Sequence, residues 1–244
     1  MTVYILLALL LLMPYGDAFA KKSTGLYLGG GVTLKRNYRI GNEASGYDKD
    51  NITNFVPYAF YRSARVQFEG FFGSYNLVNS KLFALGPAYQ FHGEKFEASG
   101  VEDRSATVMP GLFMRLFLVN FYLYKDVFGD SDGTVQDIFM ALPFQPTSSW
   151  RVIPRVGITL YDESYVDHYY GISQTEAANS TFTQYQGKSG HKLYFALGNN
   201  VNITKSIMTK FSYGYELYSG GIYDSPTVYK RMVPTASFFL LFKI

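Results

Sequence analysis

Three histidines and no cysteine are present among 244 residues, so the chemistry available to this chain is narrow. Asp167-His168 is the first candidate, because an imidazole can take a proton from water while a carboxylate orients it. Adjacent residues on an extended chain point apart, however, and no second acidic pair accompanies them; a solvated loop is the expected reading. His191 follows Ser189 by two residues, an echo of serine–histidine hydrolases, but no acidic neighbour stands ready to orient the ring. Asp130-Ser131-Asp132-Gly133 has the opening of a calcium loop. The closing bidentate glutamate is missing, since Asp137 and Ile138 follow, and a tight turn is expected instead. Glu43, Asp48 and Asp50 could bridge divalent cations to lipopolysaccharide, although an ordinary solvated loop accounts for them. Gly29-Gly30-Gly31 lacks the Lys-Ser/Thr of a phosphate loop and lies within an alternating segment, where close packing of backbone is the simpler reading. No catalytic, cofactor or metal site is therefore expected.

The elements that would position these residues come from composition and period. There are 22 Tyr, 21 Phe and one Trp, far more aromatic surface than a soluble domain of this size needs. Transmembrane barrels use such rings as girdles at both lipid–water interfaces. The first twenty residues stand apart. Ile5 to Met13 is an apolar run too short to cross a bilayer, and it leads through Pro14 and Gly16 to the small-x-small site Ala18-Phe19-Ala20. Residues 1–20 are expected to be a cleavable signal peptide, leaving 21–244 as the barrel. The cysteine that a lipoprotein would need after its signal is absent. A formal charge of +3, with scattered basic residues, gives no support to nucleic-acid binding.

Period-two alternation marks strands with one face to lipid and the other to a lumen. Leu26, Leu28, Gly30, Val32 and Leu34 form one such face; Leu193, Phe195 and Leu197 begin another; Ile207, Phe211, Tyr213, Tyr215 and Leu217 form a third. Asn202 to Ser206 is the turn between the last two, so that pair is a hairpin. Lys35, Lys192, Lys210 and Glu216 fall on the opposite faces, as a hydrated or salt-bridged lumen requires. Further strands are predicted near 54–62, 65–75, 81–91, 105–116, 118–128, 133–143, 150–160 and 235–244. Pro57, Pro87, Pro110 and Pro154 inside them imply bulges or strand ends. Asn37 to Thr53 and Tyr161 to Gly190 read as long outer loops. Arg62 to Arg65, Gln145 to Ser149 and Asn202 to Ser206 read as short periplasmic turns. That makes eleven strands, whereas such barrels have an even number. The predicted fold is an all-β, transmembrane antiparallel barrel of about twelve strands, with a hidden crossing near 92–104. Ten or eight strands are the alternatives.

Three stretches are similar to the MltA-interacting protein (MipA/OmpV) family of outer-membrane proteins. They are Tyr169-Tyr170-Gly171-Ile172-Ser173 with Tyr185 and Gly190; Tyr213-Gly214-Tyr215-Glu216-Leu217 with Asp224-Ser225-Pro226; and Leu85-Gly86-Pro87-Ala88-Tyr89. Gly129 to Gly133 lacks the histidine of the family's turn, and Ile244 stands where a terminal aromatic is usual. The resemblance implies an outer-membrane barrel contacting lipid and lipopolysaccharide, with no enzymatic activity. It further implies a scaffold linking a murein hydrolase and a murein synthase. A small-solute channel and a barrel lipase or protease are the competing readings.

Overall fold

A computed structural model of the protein describes residues 25–244, so the expected signal peptide lies outside the described residues. The strands are β1 (Leu26–Arg36), β2 (Asn51–Arg62), β3 (Val66–Glu69), β4 (Phe72–Tyr75), β5 (Val78–Asn79) and β6 (Phe83–His92) in the first part of the chain. Then come β7 (Phe96–Ala98), β8 (Val101–Arg104), β9 (Thr107–Leu116), β10 (Val119–Lys125), β11 (Thr134–Ala141) and β12 (Phe144–Thr147). The last are β13 (Trp150–Tyr161), β14 (Gly190–Asn202), β15 (Ile207–Gly220) and β16 (Met232–Lys243). Every pairing is antiparallel. β1 joins β16, and β11 joins β13, so twelve strands close a barrel with β5 and β12 as short extensions beside β6 and β13.

Alternation works as predicted in the long strands. Leu28, Leu193, Phe195, Phe211, Tyr213, Phe238 and Phe242 are exposed on the outer wall, where lipid replaces water. Tyr27, Lys210 and Phe239 are buried on the inner face. Gly29 and Gly31 share that inner face. A Cβ at Gly31 would lie 2.7 Å from the Phe239 ring, so the missing side chain leaves room for Phe239 to pack 4.2 Å from Tyr58, centroid to centroid.

The count of twelve agrees with expectation, but the extra strand lies elsewhere. Residues 96–104 form the β7–β8 hairpin, a separate two-stranded sheet outside the wall. Parity is restored within 65–75 instead, where the chain reverses at Gly70 and Phe71. Gly70 has φ +59°, the left-handed conformation that side chains resist. β3 and β4 are thus four residues each, beside a β2 of 12 and a β6 of 10. A strand needs roughly 9–11 residues to cross the hydrocarbon. This hairpin stops short, and β2 pairs with β3 only at Phe60, Tyr61 and Arg62.

The prolines sit where ladder bonds are already missing. Leu142 donates to the Pro154 carbonyl at the irregularity between β11 and β12, so the Pro154 nitrogen faces that break. Pro87 lies opposite the break between β4 and β5. Pro110 is one residue past the last β9–β10 pair, Gly111 with Tyr124. For Pro57, the Gly70 amide donates to the Ala59 carbonyl at 2.9 Å, which shows the side those groups face. Backbone groups alternate sides along a strand, so Pro57 turns its nitrogen toward the unpaired edge above the hairpin, where no donor is needed.

Loops are long at one end of the barrel and short at the other, which in outer-membrane barrels distinguishes the outside from the periplasm. The longest, between β13 and β14, is not merely a polar loop. It holds α1 (Glu163–Tyr170), capped by Asp162, and α2 (Gln174–Asn179), opened by a Ser173–Glu176 capping box.

Candidate functional site

The lumen has two parts, a filled outer end and an open periplasmic end. At the outer end, Tyr38 leaves β1 and stacks on Tyr218 of β15, centroids 4.6 Å apart and planes within 10°. Its hydroxyl meets Tyr170 at 2.8 Å and donates to Glu94 at 2.6 Å. Glu94 also pairs with Lys35, and Lys35 lies 3.2 Å from Glu216. Glu216 accepts from Lys192 at 2.8 Å and from the Tyr218 hydroxyl at 2.8 Å. Two lysines and two glutamates thus neutralise one another beneath a tyrosine layer. The charged residues expected on the inner faces of β1, β14 and β15 are brought together here. Lys210 joins a second pair, with Glu69 and the Tyr58 hydroxyl.

Above this network the outer loops bond to each other. Arg39 is buried, donates to the Tyr169 carbonyl at 3.0 Å and to Thr227 Oγ1 at 2.9 Å, and lies 3.8 Å from the Phe96 ring centroid. Ser225 donates to the Tyr170 carbonyl at 2.7 Å, and Tyr185 donates to the Gly221 carbonyl at 2.6 Å. Arg104 of β8 reaches Glu176 of α2 at 2.8 Å. Burial opposes ionisation of Glu176, yet the Ser173 and Glu102 amides and Arg104 outweigh it and hold the carboxyl down at about 2. Tyr161, Tyr165 and Tyr169 continue the stack along α1. The first loop, the β7–β8 hairpin, both helices and the β15–β16 loop therefore form one cap.

The residues first suspected of chemistry have other employment. Asp167 accepts the Gly187 amide at 2.6 Å, the His168 ring packs edge-on against Tyr169 with centroids 4.6 Å apart, and no hydrogen bond joins the Asp167 and His168 side chains. Burial, and then the Arg104 guanidinium, push His168 below its ordinary value. Ser189 and His191 line a shallow recess of about 380 Å³ with no hydrogen bond between them. In the 130–133 turn the organising group is Asp126, which accepts from the Ser131 amide at 2.7 Å and the Ser131 hydroxyl at 2.8 Å. Glu43, Asp48 and Asp50 are exposed on the first loop. Among the described residues no cluster of three acidic or histidine side chains is placed to hold a metal.

Below the cap the lumen opens at the periplasmic end as a cavity of about 970 Å³. Arg62, Lys81, Arg115, Arg151 and Arg155 line it, against Glu69 and Asp137. Asp137 is held by Thr159 and Tyr194, each at 3.0 Å. The Arg155 guanidinium sits 4.6 Å from the Phe139 centroid, and neither it nor Arg151 is in an ion pair among the described residues. The sequence places Arg62 in a short periplasmic turn but singles out none of Arg115, Arg151 and Arg155. Arg151 and Arg155, four apart in β13, fall on the same face as the period of two requires, but only the closed barrel shows that they share an interior with Arg62 and Arg115.

A family model described as MltA-interacting protein MipA matches residues 28–244. The chain belongs to that family. Two of the three stretches that carry the MipA resemblance meet in the cap and the network beneath it: Tyr170 with Ser225, Tyr185 with the carbonyl of Gly221, and Glu216 with two lysines; the third, 85–89, lies in β6 of the wall. Two curated relatives are named as outer-membrane proteins. The "Putative outer membrane protein YiaT" of Escherichia coli (strain K12) is 27% identical over 132 residues, 52% of this chain and 53% of that protein. The "24 kDa outer membrane protein" of Pasteurella multocida (strain Pm70) is 27% identical over 135 residues, 52% of each. The alignments span about half the length of these relatives. Among solved structures, the NanC porin is similar with a TM-score of 0.39 and 12% identity, covering 90% of this chain and all of that one. This MipA-family chain is an outer-membrane β-barrel.

Proposed function

We propose that the protein is a non-enzymatic outer-membrane adaptor, exported with removal of residues 1–20, whose periplasmic end engages murein-processing enzymes. The observation that carries this reading is the asymmetry of the lumen. Buried and mutually bonded side chains fill the outer end, so a solute would have to displace Arg39, Tyr38 and Tyr170 together. The periplasmic mouth is open and basic. The name of the family model points to a murein enzyme as partner for its founding member, and that partnership is extended here by proposal. Affinity capture from cross-linked envelopes is the test: murein hydrolases or synthases should be recovered reproducibly, and their consistent absence would refute the adaptor.

A second reading, a gated channel for small anions, draws on the arginine-rich cavity. Planar-bilayer recordings separate the two. The adaptor gives silent membranes, whereas reproducible conductance steps from the unmodified chain would establish the channel.

A further inference from the structure

The barrel wall is incomplete at one place. Beside the upper part of β2, where two further strands would be needed to reach β6, the β3–β4 hairpin has already turned back. Thr53, Phe55 and Pro57 therefore present backbone to that gap with no backbone partner there among the described residues. The gap lies at lipid depth. Phe55 pairs with Val32, and Val32 with Phe238, in the band of outward apolar side chains, and Phe55 itself is 84% exposed. Open sheet edges facing hydrocarbon are not tolerated unless they line a water-filled cavity. Proline at such an edge withholds a donor and discourages a further strand from adding to it. The edge is thus built to stay open, and the arginine-lined cavity rises to its sill, because Glu69 and Phe72 belong to both.

We infer that this gap is a lateral entrance from the membrane, and that the cavity beneath it is a binding site for a single-chain carboxylate amphiphile. The acyl chain would remain at the gap, among Phe55 and other apolar groups. The carboxylate would descend to Arg151 and Arg155, whose planar guanidinium groups match it in charge and geometry. The inference is independent of the adaptor reading, since it concerns a lipid-derived ligand and needs no protein partner.

The test uses the refolded chain and oleate, with occupancy counted by native mass spectrometry and folding checked by heat-modifiable gel mobility. One oleate per barrel is expected, and oleyl alcohol should bind at least tenfold more weakly. Arg151→Gln with Arg155→Gln should weaken oleate at least tenfold. Lengthening the β3–β4 hairpin by four residues per arm at Gly70–Phe71 should slow loading from vesicles at least tenfold. If the lengthened chain does not fold, Phe55→Cys supplies the sole thiol of the chain, and coupling it to a bulky maleimide after folding should slow loading likewise. Equal binding of alcohol and acid, undiminished binding by the double variant, or unchanged loading through a blocked gap would each overturn the inference. So would quantitative disulfide dimers of Phe55→Cys, which would show that a second copy covers the edge.

Discussion

Glu216 lies between Lys192 and Lys35, and this makes the lumen network a measurable quantity. Replacing it as Glu216→Gln removes the charge while keeping the shape, leaving Lys192 without its anion and Lys35 with Glu94 alone. Breaking a fully buried pair costs about 3–5 kcal/mol, whereas an exposed pair is worth about 0–1 kcal/mol. Side-chain exposures of 18–22% place this pair between those limits and nearer the buried one. A loss of about 2–3 kcal/mol is therefore expected. The assay is urea unfolding from lipid vesicles, followed by fluorescence of Trp150, the sole tryptophan, which bonds Asn199 across the β13–β14 pair. Lys192→Met completes a double-mutant cycle, for which a coupling of about 1–3 kcal/mol is predicted. Additivity of the two single losses within about 0.5 kcal/mol would refute the claim that these charges hold one another in the lumen.

Tyr38→Ala removes a fully buried ring, should cost about 3–5 kcal/mol, and should turn a silent barrel into a conducting one in planar bilayers. For Glu176 the folded-state value of about 2 lies below the ordinary 4.5, so its contribution is complete above about pH 4.5 and is lost as pH falls toward 2. Limited proteolysis of folded protein across that range should show the α2 region becoming cleavable before the barrel unfolds. Pro57→Val restores a donor to the open edge and should raise the fraction of cross-linked dimers in detergent. Gly31→Val forces a side chain against the Phe238 carbonyl and Phe239 and should cost about 1–3 kcal/mol or more in the same urea assay.

Period two was sufficient to find the long strands, because lipid enforces an apolar residue at every second position and the lumen does not. It failed at 65–75, where two four-residue strands and a turn are too short to display a period. With 65–75 counted as one strand, parity then assigns the twelfth to 92–104, where the chain instead forms a hairpin outside the wall whose Phe96 and Val101 are buried under the cap with Ile172. The tyrosines read equally two ways. Tyr213 and Tyr215 face outward, while Tyr38, Tyr165, Tyr169, Tyr170 and Tyr218 build the cap and its underside, and composition alone does not separate girdle from cap. The acidic partners Glu69 and Glu94 were not singled out, since each meets its lysine only after barrel closure brings distant strands together.

The interlocked cap also determines what the cell shows its surroundings. Antibodies, phage and proteases approaching from outside meet a cross-braced lid in which cutting one loop leaves it tied to the others through Arg39, Ser225 and Tyr185. Slack is left at Gly46, where an added side chain would touch nothing, and at the Val127–Gly129 tip, where Val127 and Phe128 are 60% and 70% exposed. Those two tips are the places to graft an epitope for surface display.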